Sequence, residues 1–134
     1  MVDQKRVGEI NQGLLVFLGV AEEDTPEDLE KMAQKIVNLR IFEDQQGKMN
    51  RSLLDLQGEI LLVSQFTLFA NTRKGRRPSF LGAGNAEKAR DYFQKMKDIL
   101  TELGVQVASG VFQAEMEVHI LNDGPVTILL DTLD

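Results

Sequence analysis

The sequence predicts a single α+β, or mixed α/β, domain over residues 1–134, with two helices packed on a curved, largely antiparallel β-sheet. Two segments repeat apolar residues at helical spacing, whereas other segments are apolar throughout or alternate residue by residue. No linker, repeat or low-complexity tract divides the chain, and a hydrophobic content of 43% is sufficient for one core. The predicted elements follow the order β-β-α-β-β-α-β-β-β.

The first half of the chain contains one predicted helix between two pairs of predicted strands. Thr25 is a suitable N-cap, Pro26 suits the first helical position, and the helix is expected to end near Arg40. The last of the strands is apolar almost throughout, which is typical of a central strand covered on both faces. The four strands are expected at residues 7–10, 14–20, 53–56 and 59–70.

The second half begins with a predicted helix over 86–103, which Gly104 ends as a C-terminal cap. From residue 112 to residue 120 apolar and polar side chains alternate without a break. This pattern predicts a strand with one buried and one polar face. The three strands of this half are expected at residues 105–108, 112–120 and 126–131.

Composition and charge limit the possible functions. The chain has no Cys, which excludes disulfides and thiolate nucleophiles, and no apolar run long enough to span a membrane. No signal peptide is visible, so we expect a cytoplasmic protein without a membrane partner. A net charge of −6 argues against bulk nucleic-acid binding through overall charge, and no DNA partner is expected. One loop within 71–84 is nevertheless cationic, either as a solvated loop or as a phosphate-binding one, through Arg73, Lys74, Arg76 and Arg77.

Polar residues interrupt the apolar strand at 59–70, where Ser64, Gln65 and Thr67 surround Phe66. Buried polar groups require partners, so such an exception tends to mark a functional site. Thr67 is a candidate nucleophile or water-orienting group, or its hydroxyl bonds a neighbouring strand. Gln65 is a candidate to support an oxyanion hole together with backbone N–H groups.

A second polar segment, 122–127, contains Gly124 and Pro125 between two apolar stretches. It forms either a tight turn or a rigid element whose carbonyls face a ligand. The single His119 lies on the polar face of its predicted strand and is interpreted as a surface residue. The sequence contains no common nucleotide-binding or metalloprotease motif, so neither a metal nor a cofactor is expected.

Taken together, these segments resemble the D-aminoacyl-tRNA deacylases of the D-Tyr-tRNA(Tyr) deacylase type. The order and spacing of the segments match, and the resemblance covers essentially the whole chain. The segments that carry it are Ser64-Gln65-Phe66-Thr67-Leu68, Arg76-Arg77-Pro78-Ser79-Phe80, Gly110-Val111-Phe112-Gln113-Ala114-Glu115-Met116 and Asn122-Asp123-Gly124-Pro125-Val126-Thr127.

The resemblance implies a hydrolase that removes D-amino acids, and glycine, from tRNA. It also implies sheets that curve into a partly open barrel, and a homodimer with active sites at the interface. Gly124 and Pro125 then resemble the Gly-cis-Pro motif, which enters the pocket of the partner subunit and excludes L-aminoacyl groups. The other implied roles fall to the catalytic-pocket residues Ser64, Gln65, Phe66 and Thr67, the substrate-pocket residues Phe112, Ala114 and Met116 (otherwise core residues), and the tRNA-binding residues Arg76 and Arg77.

One departure from the family pattern concerns the start of the chain. The family usually begins with an additional strand, and Met1 stands where relatives are already entering their second strand. Loss of a strand exposes a sheet edge with unpaired backbone groups. An alternative expectation is therefore a relative that holds the tRNA end with impaired or absent catalysis.

Overall fold

The fold is taken from a computed structural model, which describes residues 1–133. Its main feature is a parallel three-stranded sheet of β1 (Gly13–Leu18), β4 (Glu59–Ser64) and β5 (Gln106–Ser109), with β4 in the centre. A separate antiparallel pair consists of β2 (Phe42–Glu43) and β3 (Met49–Arg51). The helices are α1 (Pro26–Asn38), α2 (Leu53–Leu56) and α3 (Ala86–Glu102), and a 3₁₀ turn follows β4 at Phe66–Phe69.

The mixed α/β class predicted from the sequence is confirmed, and so is the central position of the apolar strand. The main sheet is parallel, however, rather than largely antiparallel. Helix α1 lies in the connection from β1 to β4, and α3 lies in the connection from β4 to β5. Such crossovers bring the chain back in the same direction, which gives parallel pairing.

Both long helices follow their sequence signals closely. In α1, the Thr25 hydroxyl accepts a hydrogen bond from the Asp28 backbone, and the Asp28 carboxylate accepts one from the Thr25 N–H. Asn85 caps α3 without such reciprocity, since its side-chain oxygen accepts a hydrogen bond from the Lys88 N–H. Each helix buries one apolar stripe in the common core. None of the described helices is long and apolar enough to cross a membrane.

The core lies between these helices and one face of the sheet. On β1 and β4, Leu14 is opposite Ile60 and Val16 is opposite Leu62, so these side chains share a face. Ile60 and Leu62 are fully buried. They pack in one cluster with residues of α1 and α3, including Leu29, Ala33, Ile36, Val37, Tyr92, Phe93, Met96 and Leu100.

The strand predicted at 53–56 is wrong, because this segment forms α2. Ser52 and Asp55 make a reciprocal capping box in which each side chain accepts a hydrogen bond from the other residue's backbone N–H. The backbone and hydroxyl hydrogen bonds from Ser52 lower the pKa of the Asp55 carboxyl. Local side-chain capping therefore outweighs the apolar pattern of the segment.

Three other predicted strands have no ladder within residues 1–133, namely 7–10, 112–120 and 126–131. A strand requires a hydrogen-bonded neighbour, and its own sequence does not supply one. The alternation predicted for 112–120 nevertheless appears in the burial of the side chains as far as Val118, whereas Ile120, predicted on the buried face, is 59% exposed. Phe112, Ala114, Met116 and Val118 are half-buried, whereas the residues between them are exposed.

A core substitution tests this assignment of layers. Leu62→Ala is expected to lower the free energy of unfolding by about 2–5 kcal/mol, because it opens a cavity between the sheet and the helices. Urea unfolding followed by circular dichroism measures the change.

The matched control is Leu81→Ala, since Leu81 is 95% exposed. Its expected effect is within about 0.5 kcal/mol. Equal effects of the two substitutions would contradict the assignment.

Candidate functional site

The segment 64–67 lies at the carboxyl end of the central strand, not inside a buried strand. β4 ends at Ser64, and the Gln65 N–H donates to the Leu18 carbonyl at 2.8 Å. The chain then turns, with the Ala70 N–H donating to the Thr67 carbonyl at 3.0 Å. The strand predicted to continue to residue 70 is therefore wrong after Ser64, because β1 ends at Leu18 and offers no further partner.

Thr67 is exposed, and its hydroxyl accepts a hydrogen bond from the Gln65 side-chain amide. An amide is not a proton acceptor that activates a hydroxyl. Within residues 1–133, no carboxylate, imidazole or amine hydrogen-bonds the Thr67 hydroxyl. Among the described residues, the Thr67 hydroxyl is therefore oriented by Gln65 and has no hydrogen-bonded base.

The backbone of the same turn offers a different chemistry. In the described part of the chain, the N–H groups of Phe66 and Thr67 donate to no protein acceptor, as expected at the start of a helical turn. Two adjacent free N–H groups are the usual donors for the developing negative charge of a tetrahedral intermediate. The Phe66 ring is 57% exposed beside them.

The cationic loop lies next to this turn and its two ends are joined by hydrogen bonds. Asn71 and Ser79 exchange backbone hydrogen bonds of 2.7 and 2.8 Å, which close the loop, and the Arg73 N–H donates to the Asn71 side chain. Phe80 follows directly and meets the Phe66 ring edge-on, with centroids 5.0 Å apart. Among residues 1–133, no carboxylate pairs with the four exposed cations of the loop, Arg73, Lys74, Arg76 and Arg77.

Phe112, Ala114 and Met116 share a half-buried face, but they have different surroundings. The Phe112 ring packs against Phe93 at 5.9 Å between centroids and lies 5.3 Å from the Arg90 guanidinium. Phe112 thus contacts the core. Met116 instead lies against Gly110, where an added Cβ would be only 2.5 Å from its sulfur.

Gly124 and Pro125 lie in an exposed loop joined by a cis peptide bond. Gly124 has a φ of 133° and, in addition, a Cβ there would approach Val126 Cγ2 to 2.9 Å, so only glycine fits without strain. The Asn122 side chain secures the loop, since it accepts from the Val126 N–H and donates to the Thr127 hydroxyl.

A groove of about 1750 Å³ separates the C-terminal segment from β1 and the open face of the sheet. Gly124 lines this groove together with Phe69 and Met116, but residues 64–67 do not. Within one protomer, the structure therefore brings Thr67 next to the cationic loop and leaves Gly124 and Pro125 at a different surface.

Among residues 1–133, the remaining titratable groups form no second centre. His119 is exposed and pairs with Glu117 at 3.4 Å. Asp44 bonds the Asn50 amide and the backbone of its own turn, and these bonds lower the pKa of its carboxyl. No three His, Asp or Glu residues cluster for a metal within the described chain.

Sequence reasoning missed two parts of the site. Phe80 lies beside the turn and packs against Phe66, and Asn71 closes the cationic loop through its hydrogen bonds with Ser79. Asn71 carried a usable signal, because Asn commonly starts a turn that contains a glycine such as Gly75. The Phe66–Phe80 contact joins residues on opposite sides of that loop and carried no local signal.

Comparison with known proteins gives a consistent family match. The family model described as D-Tyr-tRNA(Tyr) deacylase matches residues 1–131. A D-aminoacyl-tRNA deacylase of Aquifex aeolicus is 56% identical, with coverage of 98% of this chain and 88% of the relative. A Bacillus subtilis relative named an inactive D-aminoacyl-tRNA deacylase is 49% identical, with coverage of 98% and 99%.

Two solved structures are similar to the fold. A protein named c-Myc DNA unwinding element binding protein superposes with a TM-score of 0.91 at 42% identity, covering 98% of this chain and 89% of the other. A probable eukaryotic D-amino acid tRNA deacylase gives a TM-score of 0.70 at 17% identity, covering 86% and 83%, and supports the fold alone.

Proposed function

Because this chain belongs to the D-Tyr-tRNA(Tyr) deacylase family, we propose that it hydrolyses the ester that joins a D-amino acid to the 3′ end of tRNA. The observation that carries the proposal is the exposed turn after β4, where the N–H groups of Phe66 and Thr67 and the neighbouring cationic loop have no acceptor or carboxylate partner among residues 1–133. The relatives named D-aminoacyl-tRNA deacylase support the same reaction. The free D-amino acid and tRNA are the products, and the reaction is a step of translation quality control.

The turn catalyses the reaction by positioning the ester and by stabilising the negative charge that develops on its carbonyl oxygen. Water adds to the ester carbonyl and gives up one proton, and the N–H groups of Phe66 and Thr67 stabilise the resulting oxyanion. The bond from the carbonyl carbon to the 3′ oxygen then breaks, and that oxygen takes up the proton that the water gave up, so that tRNA leaves with a free 3′-hydroxyl. Thr67 lines the pocket and does not attack, since Gln65 orients its hydroxyl without removing its proton. The neighbouring 2′-OH of the terminal adenosine assists the hydrolysis.

Selection for D-aminoacyl groups requires a second subunit. Gly124 and Pro125 do not share a cavity with residues 64–67 in one protomer, so a homodimer would bring them to the partner's turn. A rigid backbone loop rejects the L-isomer by steric clash, because it has little freedom to relax. Glycine has no side chain to clash, and glycyl-tRNA is therefore also a substrate.

The rest of the substrate lies on the neighbouring surfaces. Arg76 and Arg77 contact phosphates of the acceptor end, since both are exposed and free of carboxylate partners among the described residues. The face shared by Phe112, Ala114 and Met116 forms a wall for the adenosine or the aminoacyl group. Because its proposed substrate is aminoacylated tRNA, we expect the protein to act in the cytoplasm.

A second candidate function is tRNA-end binding with impaired catalysis. The relative named an inactive D-aminoacyl-tRNA deacylase, which is 49% identical to this chain, supports this candidate. In addition, β1 pairs on one edge only within the described chain. The two functions share the cationic loop and differ in turnover.

Hydrolysis of D-Tyr-tRNA and L-Tyr-tRNA by the 134-residue chain separates the two functions. The proposal predicts release of D-Tyr at a rate at least about 100-fold above that of L-Tyr, because a clash of a few kcal/mol gives this ratio. Release of labelled amino acid measures both rates.

Binding of deacylated tRNA and the mass in solution are measured on the same sample. Tight binding by a folded dimer without release would contradict the deacylase proposal and favour the second candidate. Equal release of both isomers would contradict the role of Gly124 and Pro125.

The salt dependence of tRNA binding tests the cationic loop. The Arg76→Ala/Arg77→Ala variant is expected to bind tRNA more weakly, with the slope of log K against log salt reduced by roughly 1.5, because each lost phosphate contact removes about 0.7–0.9. Fluorescence anisotropy of labelled tRNA at several salt concentrations measures both the affinity and the slope.

A Lys35→Ala/Lys48→Ala variant carries the same change in net charge at two other exposed positions. Its slope is expected to match that of the wild type. If both variants shift the slope equally, the loop has no specific role.

A further inference from the structure

The Phe69 ring, at the end of the 3₁₀ turn, lies between two glycines. Gly19 directly follows β1, and a Cβ added to it would be 2.8 Å from Phe69 Cε2, a distance that forces a shift. On the opposite side, a Cβ added to Gly82 would be 4.0 Å from Phe69 Cδ1, which is an ordinary contact. The ring therefore has room for a methyl group beside Gly82 but not beside Gly19.

Gly19 also touches other parts of the same turn. A Cβ there would be 3.3 Å from the Gln65 carbonyl oxygen and 3.3 Å from Leu68 Cβ. The residue before it, Leu18, accepts the hydrogen bond from the Gln65 N–H. The bare backbone of Gly19 is thus in contact with the turn from its first residue to its last.

We infer that Gly19 and Phe69 are positioning residues that set the place of the turn carrying Gln65 and Thr67. The Phe69 ring reaches the Gly19 backbone at van der Waals distance and fixes the end of the turn, while Leu18 fixes its start. The consequence for catalysis rests on the proposed function, but the placement itself does not.

The strand side of this contact has little freedom to move. β1 is hydrogen-bonded to β4 along its length, and the Val20 carbonyl accepts a further hydrogen bond from the Gly84 N–H at 2.7 Å. The exposed turn has fewer hydrogen bonds than the strand, so it is the part that moves. A methyl group at residue 19 would therefore displace the turn, and a displacement of about 1 Å in a site can cost roughly 100-fold in rate.

Three variants measure this placement: Gly19→Ala, Gly82→Ala and Phe69→Leu. Amide NMR spectra are expected to show large shifts for Gln65 and Thr67 in Gly19→Ala and in Phe69→Leu, and only small ones in Gly82→Ala. For D-Tyr-tRNA, kcat is expected to fall about 10- to 100-fold in the first two. KM should stay within about threefold, since the cationic loop is intact.

The double variant Gly19→Ala/Phe69→Leu provides the rescue, because leucine lacks the Cε2 atom that an alanine at residue 19 would meet. Its Gln65 and Thr67 amides and its kcat are expected to lie closer to wild type than those of Gly19→Ala. Phe69→Leu, which adds no atoms, keeps the test available if Gly19→Ala does not fold.

Shifts and rates in Gly19→Ala that match those in Gly82→Ala would overturn the inference, and so would a loss that the double variant does not relieve. If the wild type releases no amino acid, the proposed function fails. The amide shifts still decide the placement in that case.

Discussion

The hydrogen-bonded pairing of β1 with β4 is the constraint on which the rest of the structure depends. It runs in register from Gly13 opposite Glu59 to Leu18 opposite Ser64, and its last bond joins the Leu18 carbonyl to the Gln65 N–H. Because β1 ends there, β4 loses its neighbour and the chain turns. The polar residues thus reach solvent at the carboxyl edge of a parallel sheet, where sites in such sheets commonly form.

A site built in this way relies on backbone groups more than on reactive side chains. The chain has no Cys, and its single His119 is exposed and paired with Glu117. In the proposed mechanism, the N–H groups of Phe66 and Thr67, which have no acceptor among residues 1–133, supply electrostatic stabilisation, and glycines allow close approaches of the backbone beside them. A glycine is likewise required at residue 124 by its φ of 133°. The proposed discrimination between isomers therefore depends on rigid backbone from two subunits.

The sequence predicted the elements whose signals are local. Both long helices carry caps and apolar stripes, and the alternation from Phe112 to Val118 reappears as burial. The pairing of strands was less predictable, because a strand needs a hydrogen-bonded neighbour that its own residues do not specify. Residues 64–67 were recognised as polar exceptions, but their exposure depends on where β1 ends. The roles of Gly19 and Phe80 depend on distances between separate segments, which no spacing in the sequence encodes.

We propose that this turn acts through position and not through a nucleophilic Thr67. Single-turnover hydrolysis of D-Tyr-tRNA by Thr67→Ala distinguishes the two mechanisms, with Thr101→Ala on α3 as the matched control and circular dichroism to verify folding. Thr67→Ala is expected to keep its rate within about tenfold of wild type, because only an oriented hydroxyl is lost. A loss of roughly 1,000-fold or more in a folded variant would contradict it, since removal of a nucleophile has that effect.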